Sequence, residues 1–170
     1  MNLVVVRADG TFYARPDTTL VRGVRDYYLP DDLTWVEIRP CCWIRILKSA
    51  KAVQERFAQR YYDAIGSGLL LYGDGTDTLL DASTYIFDDA AAVVMSASGH
   101  SSGGTDKPFR ESPAIPDVPS PDLVQRFDAA LSAVTAHLLL HQGDLLILEA
   151  SDSTTLHRGE THPSAGIRVL

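Results

Sequence analysis

The chain has 170 residues, of which 45% are hydrophobic, and it carries a formal net charge of −7 with a pI of about 5.1. This length suits one domain with a substantial core, so residues 1–170 are read as a single unit. The acidic balance argues against a nucleic-acid partner, and no apolar run reaches the ~20 residues that span a bilayer.

Residues 3–6 read as a short strand that enters a turn at Asp9-Gly10. With no basic leader, long apolar core or cleavage site there, a signal peptide is not expected and the cytoplasm is the expected location. Residues 11–14 and 36–46 are rich in β-branched and aromatic side chains and read as further strands, with a turn at Pro30-Asp31-Asp32 between them. Cys41 and Cys42 are neighbours in the second of these, so they point to opposite faces and a mutual disulfide would be strained. Two free thiols fit a reducing compartment.

Residues 49–63 are predicted helical. Ser49 is placed to cap the helix, Val53, Phe57 and Tyr61 recur every four residues, and Gly66 and Gly68 would end it. Residues 69–72 read as a short strand before the Gly73-Asp74-Gly75 turn, and residues 90–94 as another. Residues 101–119, with four prolines and a Ser-Ser-Gly-Gly run, read as a long surface loop.

The strongest local signal is the helix predicted over 121–139. Ser120 caps it, Pro121 suits its first position, and Asp122 complements its dipole. Leu123, Phe127, Leu131, Val134 and Leu138 form the buried stripe. Gln142-Gly143-Asp144 then turns the chain into a buried strand at 145–148. Two main helices among several strands make the expected class α+β, mainly β.

Gly99-His100-Ser101-Ser102-Gly103 matches a nucleophile-elbow pattern, but the Gly-Gly-Thr-Asp-Lys-Pro that follows is a poor start for the helix an elbow requires. His157, Glu160 and His162 lack helical metal-site spacing and read as a solvated C-terminal loop. Asp74 and Asp77 do not follow calcium-loop spacing. Asp88-Asp89 reads as a solvated turn, with an acid–base role open only if one carboxylate is buried.

One segment is far more specific. Glu55-Arg56-Phe57-Ala58-Gln59-Arg60-Tyr61-Tyr62-Asp63-Ala64 closely resembles the E-R-F-A-H-R-Y-Y-D-A segment of bacterial fumarylacetoacetate hydrolase family proteins. Arg15-Pro16-Asp17-Thr18 resembles the family's K-P-D-S, and Tyr28-Leu29-Pro30 its F-I-P. Phe87-Asp88 followed by Ala90-Ala91 resembles its K-G-F-D-G-S-A, and Gly143-Asp144-Leu145-Leu146 its G-D-L-I. The resemblance implies a mixed β-roll, a homodimer, and chemistry on 2-oxo or β-dicarbonyl acids assisted by magnesium, manganese or calcium. In such proteins a hard cation stabilises the oxygen that gains charge in the transition state.

Carried over residue by residue, the resemblance implies that the metal site is lost. The family's E-x-E pair falls on Arg39 and Cys41, its later aspartate on Leu70, its assisting lysine on Tyr85, and its T-G-T-P segment on residues 148–151. The family's N-terminal lid, with its acid–base histidine, is not expected here. A guanidinium about 5 Å from a dication costs roughly 7 kcal/mol at an effective dielectric of 20. Cys41 is too soft a ligand for magnesium or calcium. The expectation is therefore a pseudoenzyme with no metal, no cofactor and no catalytic residue, in a structural, regulatory or small-anion-binding role. Arg15, Arg39 and Tyr85 would line a remodelled pocket for a small carboxylate, unless Arg39 simply pairs with Glu37 or Asp31. An active relative is a second candidate partner. The alternative is a metal-independent hydrolase, isomerase or decarboxylase for a small 2-oxo or β-dicarbonyl acid, using Asp88, His100 or Cys41.

Overall fold

A computed structural model of the chain describes residues 1–23, 26–73, 83–93 and 120–170, with the backbone alone over 87–93. The described residues are mainly β. The strands are β1 (Asn2–Val6), β2 (Phe12–Pro16), β3 (Leu20–Arg22), β4 (Trp35–Ile46), β5 (Tyr62–Gly73), β6 (Ser83–Val93), β7 (Leu145–Glu149) and β8 (Thr154–His157). They form one mixed sheet in the order β2-β1-β7-β4-β5-β6-β3, with β8 also paired to β4. The pairs β1/β7 and β3/β6 are parallel and the others antiparallel.

Strand β4 is the spine. One of its edges pairs with β5 over the whole length, and the other pairs with β8 at its start and β7 towards its end. The Asp9-Gly10 turn forms as expected, with Gly10 at φ 84° and Asp9 accepting from the Thr11 amide and hydroxyl. The turn at Gly143 (φ 88°) delivers Asp144, whose buried carboxylate accepts from the His141 amide at 2.7 Å and the Asn2 amide at 2.8 Å. It thereby fixes β1 beside β7.

The single α-helix among the described residues, α1, runs Pro121–His137. Ser120 caps it through the Leu123 amide, and Pro121 opens it, as predicted. Phe127, Leu131 and Val134 are fully buried against β1, β4 and β7, whereas Leu138 lies beyond the last turn and is 38% exposed.

The first predicted helix is much shorter than 49–63. It is a 3₁₀ helix over Glu55–Arg60. Tertiary pairing claims the backbone upstream: Ala50 bridges Leu140, the Ala52 amide donates to the Thr135 carbonyl, and Ala52 has φ 49°, which no right-handed helix accommodates. Downstream, Tyr62 already belongs to β5, so Gly66 and Gly68 lie inside a strand and end no helix.

The side chains of this segment explain its specificity. Ala58 is fully buried. Gln59 and Tyr62 both donate to the buried Asp128 of α1, at 2.9 and 2.8 Å. Burial, followed by the Asp128 carboxylate, pushes the Tyr62 phenol up, so it stays protonated and keeps donating. Each hydrogen bond to a buried charge contributes about 1.5–3 kcal/mol. Asp63 holds Arg45 of β4 through two 2.9 Å bonds.

The C-terminal stretch is not a solvated loop. Ala165, Ile167 and Val169 pack with Tyr27, Leu29, Val36, Ile38 and Leu156 in a second core. His157, Glu160 and His162 are used in its turns. Glu160 accepts from the His157 amide, and the buried His162 accepts from the Ala165 amide through Nδ1.

Candidate functional site

Side chains alternate along a strand, so Arg39, Cys41 and Trp43 of β4 share one face while Pro40, Cys42 and Ile44 share the other. In the ladder Arg39 lies opposite Leu70, and Cys41 opposite Gly68. Directly opposed antiparallel residues place their Cβ atoms about 4.5–5.5 Å apart. Arg39, Cys41 and Leu70 therefore come together on one face, as their sequence positions suggest. Cys41 and Leu70 pack there with Leu3, Val5, Trp43 and Tyr72.

A chain of polar groups runs across this face. Arg39 donates from Nε to Glu37 at 2.9 Å and from Nη1 to Glu149 at 2.5 Å. The other carboxylate oxygen of Glu149 accepts from the Tyr72 hydroxyl. The Tyr72 and Tyr13 hydroxyls are 2.5 Å apart, and Tyr13 accepts from Arg15 Nε at 3.1 Å. Arg15 is 1% exposed; its guanidinium stacks on Tyr72 at 4.5 Å and also donates to the Ser83 carbonyl and the Thr84 hydroxyl. Two guanidiniums and two carboxylates thus balance, and the tyrosines between them are hydrogen-bonded at both ends.

The electrostatics follow from this arrangement. The bond to Glu37 raises the Arg39 pKa against the opposing effect of burial, and Glu149 raises it further. Burial pushes Glu37 up, but its bonds from Arg39 and Ser153 outweigh that and leave it below its ordinary value. Burial raises both the Tyr72 phenol and the Cys41 thiol, so each is protonated at neutral pH.

These groups do not suit a divalent cation. A permanent guanidinium lies between the two carboxylates, Leu70 is apolar and fully buried, and the Cys41 thiol keeps its proton. Among the described residues, no three His, Cys, Asp or Glu side chains cluster as metal ligands.

The remaining sequence candidates are distributed differently. Arg15 belongs to the network, but its donors are engaged with protein oxygens. Tyr85 pairs with Leu69, which puts it on the opposite face in the second core, away from Arg39. The expected pocket of Arg15, Arg39 and Tyr85 is therefore not assembled. Asp88 lies on β6, where only the backbone is described, and His100, with the loop at 101–119, lies outside the described residues. Arg39 pairs with Glu37, as one reading of the sequence allows, but not with Asp31, which meets Arg158 at 3.6 Å. Sequence reasoning missed Tyr72 and Tyr13, and it placed Glu149 in the 148–151 segment without seeing its pairing with Arg39. The one available signal was a glutamate closing the apolar run Leu-Leu-Ile-Leu, where a buried acid needs a cation.

No family model matches the chain, and no curated protein matches it by sequence. Solved structures do. It is similar to 2-hydroxyhepta-2,4-diene-1,7-dioate isomerase from Mycobacterium marinum, with 16% identity and a TM-score of 0.69 over 99% of this chain and 74% of that one. It is similar to a Yersinia pestis CO92 protein of the fumarylacetoacetate hydrolase family, with 14% identity and a TM-score of 0.63 over 99% and 92%. It is also similar to fumarylpyruvate hydrolase from Pseudomonas aeruginosa, solved with Mn2+ and pyruvate, with 11% identity and a TM-score of 0.62 over 94% and 82%. The chain has the fold of the fumarylacetoacetate hydrolase family.

Proposed function

We propose that this chain is a non-catalytic protein of the fumarylacetoacetate hydrolase fold, in which an internal ion-pair network stands where relatives hold a divalent cation. Its role is structural or regulatory, in the cytoplasm. The observation that carries this reading is Arg39, bonded to both Glu37 and Glu149 on the face it shares with Cys41 and Leu70. An arginine is charged at any physiological pH, so its bonds satisfy the carboxylates without a metal. The metal-independent alternative is weakened at one of its three groups, because the Cys41 thiol is buried and protonated.

The test converts the face back. In the triple variant Arg39→Glu, Cys41→Glu, Leu70→Asp, the clustered carboxylates repel, so the metal-free variant melts below the parent. Manganese at about 100 times its dissociation constant adds ~2.7 kcal/mol. For a chain of this size that is a rise of roughly 5–10 °C in melting temperature. The parent is expected to shift by almost nothing in the same titration. A folded variant without a metal-dependent shift, or a parent that shifts equally, removes the reading.

The assembly we propose is a homodimer. Tyr28, Leu47 and Leu139 are large apolar side chains exposed by 75, 43 and 48% in the single chain. Light scattering at micromolar concentration is expected to give twice the 18.6 kDa chain mass. A monomer mass contradicts the proposal.

A further inference from the structure

A cavity of about 290 Å³ opens on the Cys42 side of the sheet, and Cys41 and Glu149 of the strands beneath also reach its lining. Its floor is one row of the ladder, in which Cys42 is flanked by Ser67 on β5 and Leu148 on β7. Pro40 continues the floor, and Leu123 and Arg126 of α1 form a wall. At about 30 Å³ per water, the space equals roughly ten waters of liquid volume.

One buried group here lacks a partner that folding normally supplies, and one exposed cation stands beside it. The Ser67 hydroxyl is buried without a hydrogen bond, in a residue only 4% exposed. A buried polar group left in that state costs about 1–3 kcal/mol. Arg126 is exposed and makes no hydrogen bond or ion pair among the described residues. Cys42 lies between the two. It is opposite Ser67, and it is near enough to Arg126 for the guanidinium to offset part of the rise that burial imposes on its thiol.

We infer that this cavity binds a small carboxylate on a short apolar body. The carboxylate sits over Cys42, accepts from the Ser67 hydroxyl and is neutralised by Arg126, while the body packs on Leu123, Leu148 and Pro40. Glu149 also lines the cavity, but its two carboxylate oxygens are taken by Arg39 and Tyr72, so the binding groups are Ser67 and Arg126 and the inference does not rest on the proposed function.

Benzoate and its neutral counterpart benzamide are suitable probes, and iodoacetamide alkylation of Cys42 is the readout, with fragment sequencing by mass spectrometry to separate it from Cys41. With a dissociation constant on the order of 1 mM, 10 mM benzoate slows alkylation about tenfold. Benzamide is expected to bind about threefold to fivefold more weakly, the value of a solvent-exposed ion pair. Arg126→Gln, an exposed change, erases that preference. Ser67→Ala weakens benzoate binding without lowering the melting temperature, because the hydroxyl it removes has no partner in the fold. The inference fails if Cys42 is not alkylated in the free protein, if benzoate gives no protection or protects no better than benzamide, or if either substitution leaves benzoate binding unchanged.

Discussion

Glu149→Ala is expected to lower stability by about 3 kcal/mol. Removing one partner of a buried ion pair costs roughly 3–5 kcal/mol, because the other charge remains without compensation. The lower end applies here, since the Arg39 side chain is 27% exposed and keeps Glu37. The Tyr72 hydroxyl also loses its acceptor and retains only Tyr13. At about 2–4 °C per kcal/mol for chains of 150–250 residues, the melting temperature falls by roughly 6–12 °C. The double variant Arg39→Leu, Glu149→Leu is expected to recover part of this, because it removes both charges of the pair, although Glu37 is then held by Ser153 alone and Tyr72 still lacks its acceptor. Thermal melts of the parent, both single variants and the double variant give the coupling energy directly. A Glu149→Ala loss below about 1 kcal/mol, or a double variant no better than the worse single, shows that the network does not hold this face together.

Gly68→Ala is expected to be at least as damaging, for a geometric reason. A Cβ at Gly68 would lie 2.3 Å from the Tyr85 carbonyl oxygen and 3.2 Å from Cys41 Sγ. The nearer atom is backbone of the adjacent strand, so relief requires β5 and β6 to part where Gly68 faces Ile86. Strain of this kind in a packed interior costs about 3 kcal/mol or more. Shortening Cys41 to Ala does not relieve it. Gly66 makes a contrast, since its Cβ would meet the Trp43 ring at 2.1 Å, a side-chain conflict that Trp43→Leu eases. In urea melts, Gly66→Ala is therefore expected to be partly rescued by Trp43→Leu, and Gly68→Ala not to be rescued by Cys41→Ala. Equal rescue at both sites contradicts the assigned contacts.

Those two glycines show where sequence reading stopped. Punctuation by glycine marked them as the end of a helix, but a glycine in a strand also permits close approach of a neighbour, and only the tertiary partner distinguishes the two. The α1 helix was legible because Ser120, Pro121 and the spacing of Phe127, Leu131 and Val134 are local signals that agree with one another. The segment over 49–63 misled because Val53 and Tyr61 recur at helical spacing while Ala50 and Ala52 are bound to Leu140 and Thr135, more than 80 residues away in sequence. On the site, the shared face of Arg39, Cys41 and Leu70 could be anticipated from the two strands that carry them. Glu149 could not, because its approach to Arg39 depends on β7 pairing with β4 across 110 residues.

The Asp144 clamp has a consequence for synthesis. Asn2 and Asp144 are 142 residues apart, and the parallel neighbour of β1 is the strand that follows Asp144. At translation rates of about 5–20 residues per second, β1 and β2 wait on the order of ten seconds before β7 emerges. During that interval Leu3, Val4 and Val5, all buried in the finished sheet, present an open hydrogen-bonding edge on the nascent chain. Pairings this distant in sequence also close slowly, since the loop entropy is lost before the contacts form. The chain is therefore exposed to aggregation while it is being synthesised, and a holdase that covers a short apolar strand would act on β1.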